Sequence, residues 1–299
     1  MTLRPRRASA LLALGAAAVA AALALAGCTA EDATEPVIVP TPSSVPIAAD
    51  VHSLVVLGDS ISVGVNACDT EGACPDVAWG TGTAADVQSL ASRIGAASGS
   101  APEVANLAQP GGRLSDAVAR LDAVTAEKPD LVAVLVGSND ACAPSLDEVT
   151  SADDFAAEMT ELVDGIASAS PSTHILLLSV PDVEQIWNLG HDNPAAVRLW
   201  DRSPSCRSLL WGADSDAPED VERRAGIGEL VDQYNAAIAD ACAAQPMCVY
   251  DGGALHDIEF GRDDISSIDY FHPTARAQAT IAAVAWNALA GADANGNAP

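Results

Sequence analysis

The run Leu131-Val132-Ala133-Val134-Leu135-Val136 carries no polar side chain on either of the two alternating sets a strand would present. A strand built from it has no face to offer water, so it must lie in a sheet covered on both sides, as parallel sheets are. Residues 175–180 (ILLLSV) read almost the same way. Further strands are expected at 54–57, 104–108 and 248–250, with helical stretches between and after them at about 84–98, 114–126, 153–169, 219–243 and 274–289. Strands alternating with helices predict βαβ units, hence an α/β fold with a parallel sheet between helical layers. Residues 182–219 break the rhythm. They hold Trp187, Trp200 and Trp211 amid scattered charge, and read as an insertion or long loop whose tryptophans either pack it or line an acyl pocket.

The first residues read as an address rather than as part of the fold. Arg4, Arg6 and Arg7 precede an Ala/Leu run over about residues 8–26, the pattern of a secretory signal peptide. The competing reading is a membrane-spanning anchor, for which the run is nearly long enough. Leu25-Ala26-Gly27-Cys28 resembles the lipobox of bacterial lipoproteins. That resemblance implies cleavage before Cys28, acylation of Cys28 and a place on the outer face of the cell membrane, with release from the cell as the variant; two acyl chains anchor stably where one does not. The expected organisation is a leader at 1–27, a Pro- and acid-rich linker at 28–51, a folded domain at 52–290 and a tail at 291–299.

Charge narrows the partners. The chain has 14 basic and 41 acidic residues, a net charge of −27, which repels phosphate backbones and excludes a nucleic-acid partner. A monomer is expected. Apart from Cys28 there are six cysteines, and an even number in an exported chain predicts disulfides. Locality pairs Cys68 with Cys74 and Cys242 with Cys248, leaving Cys142 for Cys206. No His/Cys cluster has metal-ligand spacing, so no metal is expected.

In an open α/β sheet, ligands bind beyond the carboxyl ends of the strands. The residues at those ends are therefore informative: Gly58-Asp59-Ser60-Ile61-Ser62 after the first strand, Gln109-Pro110-Gly111-Gly112 after the second, and Gly137-Ser138-Asn139-Asp140 after the third. Asp269-Tyr270-Phe271-His272-Pro273 stands before the last helix. A serine hydroxyl needs a base to become a nucleophile, and histidine suits that task near neutral pH. The histidine needs an acid to fix its tautomer, and Asp269 can fold back on His272 across a turn. The backbone N–H groups of Ser60 and Gly111 and the Asn139 amide can point at one developing oxyanion. Asp59 reads as a hydrogen-bonding residue of the loop rather than a second acid.

Gly-Asp-Ser-x-Ser at 58–62, Asn-Leu-Ala-x-x-Gly at 106–111, Gly-x-Asn-Asp at 137–140 and Asp-x-x-His at 269–272 resemble, in order, the motifs of the SGNH (GDSL-type) hydrolases. The commonest form of the first motif has Leu at its fourth position, where this chain has Ile61. The resemblance implies a flavodoxin-like α/β/α sandwich with a five-stranded parallel sheet and no cofactor. It implies Ser60 as nucleophile, His272 as base with Asp269, and Ser60, Gly111 and Asn139 as oxyanion donors. The expected function is a serine esterase acting on carboxylic esters, lipid or simple acyl esters being favoured. The alternatives are a carbohydrate (acetyl) esterase and a cell-surface binding lipoprotein that has lost the chemistry.

Overall fold

The computed structural model describes residues 47–68 and 70–291. The leader, Cys28, most of the linker and the tail beyond residue 291 lie outside the described residues. Five parallel strands, β1 (Ser53–Gly58), β2 (Glu103–Asn106), β3 (Leu131–Leu135), β4 (His174–Leu177) and β5 (Cys248–Tyr250), pair in the order β2-β1-β3-β4-β5. The chain leaves β1 for β2 on one side and then crosses to β3 on the other, so the order reverses at β1. That reversal opens a crevice at the strands' carboxyl ends.

Both alternating sets of the central strands are apolar because both are buried. Val55, Leu57, Val132 and Val134 face α6 (Ala152–Ala169) and α10 (Pro218–Ala243), whereas Leu54, Val56, Leu131 and Leu135 face α2 (Leu90–Ser98) and α11 (Ala275–Gly291). Helix α6 starts where the Ser151 hydroxyl accepts the Asp154 N–H, a side-chain cap for an otherwise unpaired donor. It buries Phe155, Met159, Leu162, Val163 and Ile166 along one stripe. Helix α10 opens with Pro218, Glu219 and Asp220, residues suited to a first turn. Tyr234 of α10 stacks on Phe155 with ring centroids 4.0 Å apart.

Several boundaries differ from expectation, each for a local reason. Ile47, Ala48 and Val51, at the end of the expected linker, are buried in the α2–α11 layer. The first long helix starts at Leu90, capped by the Ser89 hydroxyl, and residues 84–89 form turns instead. The stretch 114–126 divides into α3 (Leu114–Val118) and α4 (Leu121–Glu127), and Arg120 at the break donates to the Gln109 side chain. Pro273 precedes α11, as expected, and is held with Ile265 in an isolated antiparallel bridge. Residues 182–219 contain α7 (Glu184–Gly190), α8 (Pro194–Trp200) and α9 (Arg207–Leu210), not a long loop. Disulfides Cys68–Cys74, Cys142–Cys206 and Cys242–Cys248 are all present. Among the described residues, no helix is long and apolar enough to cross a membrane.

Candidate active site

Ser60 opens α1 (Ser60–Val63), a single turn directly beyond β1. Asp59 is its cap, accepting the Ile61 N–H at 2.8 Å. Gly58 is required by space: a Cβ there would stand 2.4 Å from the Leu135 carbonyl oxygen and 2.4 Å from the Ser62 hydroxyl. The absent side chain lets β1 end against β3, so the serine emerges beside the turn that leaves β3.

That turn starts with Gly137 and the short helix α5 (Ser138–Ala141). The Asn139 amide nitrogen lies 3.0 Å from the Gly112 carbonyl oxygen and 3.3 Å from Asp59 Oδ2. It thus joins the turns after β1, β2 and β3. Gly111 adopts φ +75°, a conformation that side-chain-bearing residues rarely hold, within the turn closed by the Gly112 N–H on Gln109 at 3.0 Å. Neither the Ser60 nor the Gly111 N–H has a hydrogen-bond partner among the described residues.

From the opposite wall, His272 Nε2 lies 2.8 Å from Ser60 Oγ and Nδ1 lies 2.5 Å from Asp269 Oδ2. With Nδ1–H donated to the carboxylate, Nε2 is free to accept the serine proton. Burial pushes Asp269 up, but donors from His272 and from Asn66 outweigh it and hold the carboxyl below its usual range. Ser60, Asp269 and His272 therefore form a continuous hydrogen-bonded chain. The oxyanion candidates Gly111 and Asn139 sit on the turns beyond β2 and β3.

Two carboxylates here do something else. Burial pushes Asp59 and Asp140 up to about 6 against the hydrogen bonds they accept. Asp140 accepts the Leu114 N–H at 3.0 Å and the Thr150 hydroxyl at 2.8 Å, fastening the turn after β3 to α3. Asp59 thus holds its loop, as the sequence suggested; Asp140 does so too, a role its motif position alone did not reveal.

An apolar cavity of about 60 Å³ opens from Ser60, Asn139 and His272 and is walled by Val183, Ile186, Phe260, Ile265 and Phe271. None of the three tryptophans of 182–219 lines it. Trp187 stacks with His191 and under Arg224 and donates to the Ala213 carbonyl; Trp200 is buried; Trp211 is half exposed beneath Arg207. They pack the insertion, and Val183 and Ile186, which no motif marks, reach the site instead. A second, more polar cleft of about 390 Å³ lies on the far side of His272, lined by Asn66, Glu71, Trp200, Ser203 and Ser205. His52, His174, His191 and His256 line neither cavity. No group of three or more His, Cys, Asp or Glu among the described residues is arranged to hold a metal ion.

The arrangement suits nucleophilic acyl transfer: a serine with a base, and a base with an acid, with Asn139 lining the same cavity. The model of the GDSL-like Lipase/Acylhydrolase family matches residues 56–280. No curated protein gives a significant sequence match. Among solved structures, LAE5, an alpha/beta hydrolase enzyme from the metagenome of Lake Arreo, Spain, is 19% identical, with a TM-score of 0.51 over 80% of this chain and 95% of its own. The lipase/acylhydrolase from Enterococcus faecalis is 21% identical, also with a TM-score of 0.51, over 80% of this chain and 96% of its own. At such identities the likeness speaks for the fold.

Proposed function

The chain belongs to the GDSL-like lipase/acylhydrolase family and is an ester hydrolase, and we propose that it works as an exported serine esterase through an acyl-Ser60 intermediate, on simple esters of short acyl chains. The observation that carries the mechanism is the chain of contacts from Ser60 Oγ through His272 to Asp269, at 2.8 and 2.5 Å. His272 Nε2 takes the serine proton as Oγ attacks the ester carbonyl. The Ser60 and Gly111 N–H groups receive the oxyanion, joined by the Asn139 amide once its long contact to Asp59 gives way. Collapse expels the alcohol, which leaves with the proton from Nε2. Water then repeats the sequence on the acyl-enzyme, and the acid departs.

Chain length is argued from the cavity. At about 60 Å³ it is less than half the about 150 Å³ that admits benzene in an engineered core, room for an acyl group of few carbons. The cleft beside His272 supports a second reading, an esterase that removes acetyl groups from a hydroxylated carbohydrate, because its Glu71, Ser203 and Ser205 side chains offer hydrogen bonds to an alcohol component. Hydrolysis of p-nitrophenyl esters from acetyl to palmitoyl, beside acetylated sugars and a Ser60→Ala control, separates these readings. A short-chain optimum that vanishes with Ser60 is expected. An optimum at palmitoyl would overturn the chain-length reading, and full activity in Ser60→Ala the mechanism. No turnover and no labelling of Ser60 by a fluorophosphonate would favour a binding lipoprotein. Anchoring through acylated Cys28 is part of the proposal, and fatty-acid labelling that persists in Cys28→Ser would refute it.

A further inference from the structure

The Asp269 carboxylate has a partner from outside its own turn. Oδ1 accepts the backbone N–H groups of Phe271 and His272 at 2.9 and 3.0 Å, and Oδ2 accepts His272 Nδ1–H. The remaining donor is the side-chain amide of Asn66, 2.6 Å from Oδ2. Asn66 lies just beyond α1, past the Gly64 that caps the nucleophile's helix. It therefore joins the segment carrying Ser60 to the acid on the opposite wall.

Asn66 is itself held on several sides. Its side chain is buried and its backbone is left-handed at φ +54°, which asparagine tolerates better than most residues. Its N–H donates to the Gly72 carbonyl at 2.7 Å, and its Oδ1 accepts the Gly72 N–H at 2.8 Å. The Cys74 N–H donates to the Gly64 carbonyl, and the Cys68–Cys74 disulfide closes the loop. The Ala67 carbonyl accepts the Ala275 N–H at 2.9 Å, fastening the loop to the start of α11 just after His272.

We propose that Asn66 is a positioning residue for the Asp269–His272 pair and that the loop closed by Cys68–Cys74 presents it. The inference rests on the serine-esterase reading. Backbone donors within the turn can orient Oδ1 relative to that turn only. Asn66 sets the carboxylate, and through it the imidazole, relative to Ser60, and its donor bond also favours the ionised carboxylate that an imidazolium needs.

The test uses substitutions compatible with the backbone. Asn66→Asp keeps the acceptor for Gly72 but loses the donor; Asn66→Gly suits the positive φ and loses both side-chain bonds. For p-nitrophenyl acetate, both should lower kcat by about tenfold while KM stays within about twofold. The low-field NMR resonance of the proton between His272 and Asp269 should shift. Removing the disulfide with Cys68→Ala plus Cys74→Ala should cost a similar factor and add little when combined with Asn66→Gly, since both act through one contact. Unchanged kcat in a folded Asn66→Gly enzyme, a loss confined to KM, or fully additive losses would overturn the proposal. If no variant folds, selective reduction of this disulfide in the wild-type enzyme, followed by mass spectrometry, takes their place: the same fall in kcat supports the proposal and unchanged kcat overturns it. Ser60→Ala separates the two readings. If it stays active, the esterase mechanism fails; if it is inactive while Asn66 variants keep full kcat, this inference alone fails.

Discussion

The two walls of the site are built by different physics. Ser60, Gly111 and Asn139 leave the ends of neighbouring strands, so their spacing comes from sheet register: Gly58 pairs with Leu135, and Val56 with Asn106. The wall carrying Asp269 and His272 belongs to residues 251–274, an irregular segment whose regular structure is the 3₁₀ turn Arg262–Asp264 and the isolated bridge between Ile265 and Pro273. It is held by discrete contacts, including the Ser266 N–H on the His272 carbonyl, Arg276 on Asp264, and Asn66 on Asp269. The first wall shares the stability of the core. The second is an irregular segment held by hydrogen bonds of turns and side chains and by Leu255, Phe260 and Phe271 packed on the core.

The sharpest test of that contrast asks whether both walls matter equally to chemistry while differing in stability. Ser60→Ala and His272→Ala should each remove turnover by about 10³-fold or more, and neither should move the melting temperature much, since neither side chain fills core. Asp269→Ala should cost less, because a histidine without its acid keeps part of its basicity. Steady-state kinetics beside thermal melts would decide. An Asp269→Ala loss as large as that of His272→Ala would mean that the second wall collapses without its acid.

Backbone perturbation should then separate the walls. Gly58→Ala places a methyl group 2.4 Å from a β3 carbonyl oxygen and the Ser62 hydroxyl, so it should destabilise by about 3 kcal/mol and depress activity through misplacement of Ser60. Urea unfolding measures it. A stable, active Gly58→Ala enzyme would show that the approach of β1 to β3 is looser than sheet register implies.

The same division explains what was legible in the sequence. Residues 131–136 announced a strand covered on both faces, and turns beyond strands fall at strand ends wherever a parallel sheet forms. Asp269 and His272 were found because they stand three apart, close enough to meet across a turn. Asn66 was not legible: its partner is 203 positions away, and nothing in Gly-Val-Asn-Ala marks a contact at that range. Val183 and Ile186 escaped notice likewise, because an apolar side chain in a tryptophan-rich insertion looks like packing until the insertion folds back on the site.

The walls should also answer pH in opposite directions. Asp140, on the strand-end wall, is pushed up to about 6 by burial, against the hydrogen bonds it accepts. A raised carboxyl contributes stability that is present below its unfolded value near 3.8 and is lost as pH rises through about 6, a change of up to about 3 kcal/mol. Asp269 is lowered, as donors from His272 and Asn66 outweigh burial. Its contribution is present above the unfolded value and is lost as pH falls through the folded one. Asp140→Asn should therefore gain on the wild type between pH 4 and pH 7.5, and Asp269→Asn should lose ground on rising through the acid range. Urea midpoints at pH 4 and 7.5 test Asp140 and midpoints between about pH 2.5 and 4 test Asp269; parallel curves for Asp140→Asn and wild type would contradict the burial argument.

The smallest effect concerns the space between the walls, which neither wall closes alone. Ile186 reaches the cavity from α7 and Val183 from just before it, so acyl specificity should be adjustable without touching the hydrogen-bonded chain. Ile186→Ala removes methyl and methylene groups from the cavity lining. A longer acyl chain can occupy that space, whereas an acetyl group loses a contact. The ratio of kcat/KM for octanoate over acetate esters should rise by about tenfold, the scale on which apolar pockets discriminate among methylenes. Fluorophosphonate labelling of Ser60 should stay close to the wild-type rate. If the ratio holds constant while both rates fall together, Ile186 supports the His272 wall rather than the acyl chain. The insertion would then belong with the discrete contacts that hold that wall, and specificity would have to arise from Phe260, Ile265 and Phe271.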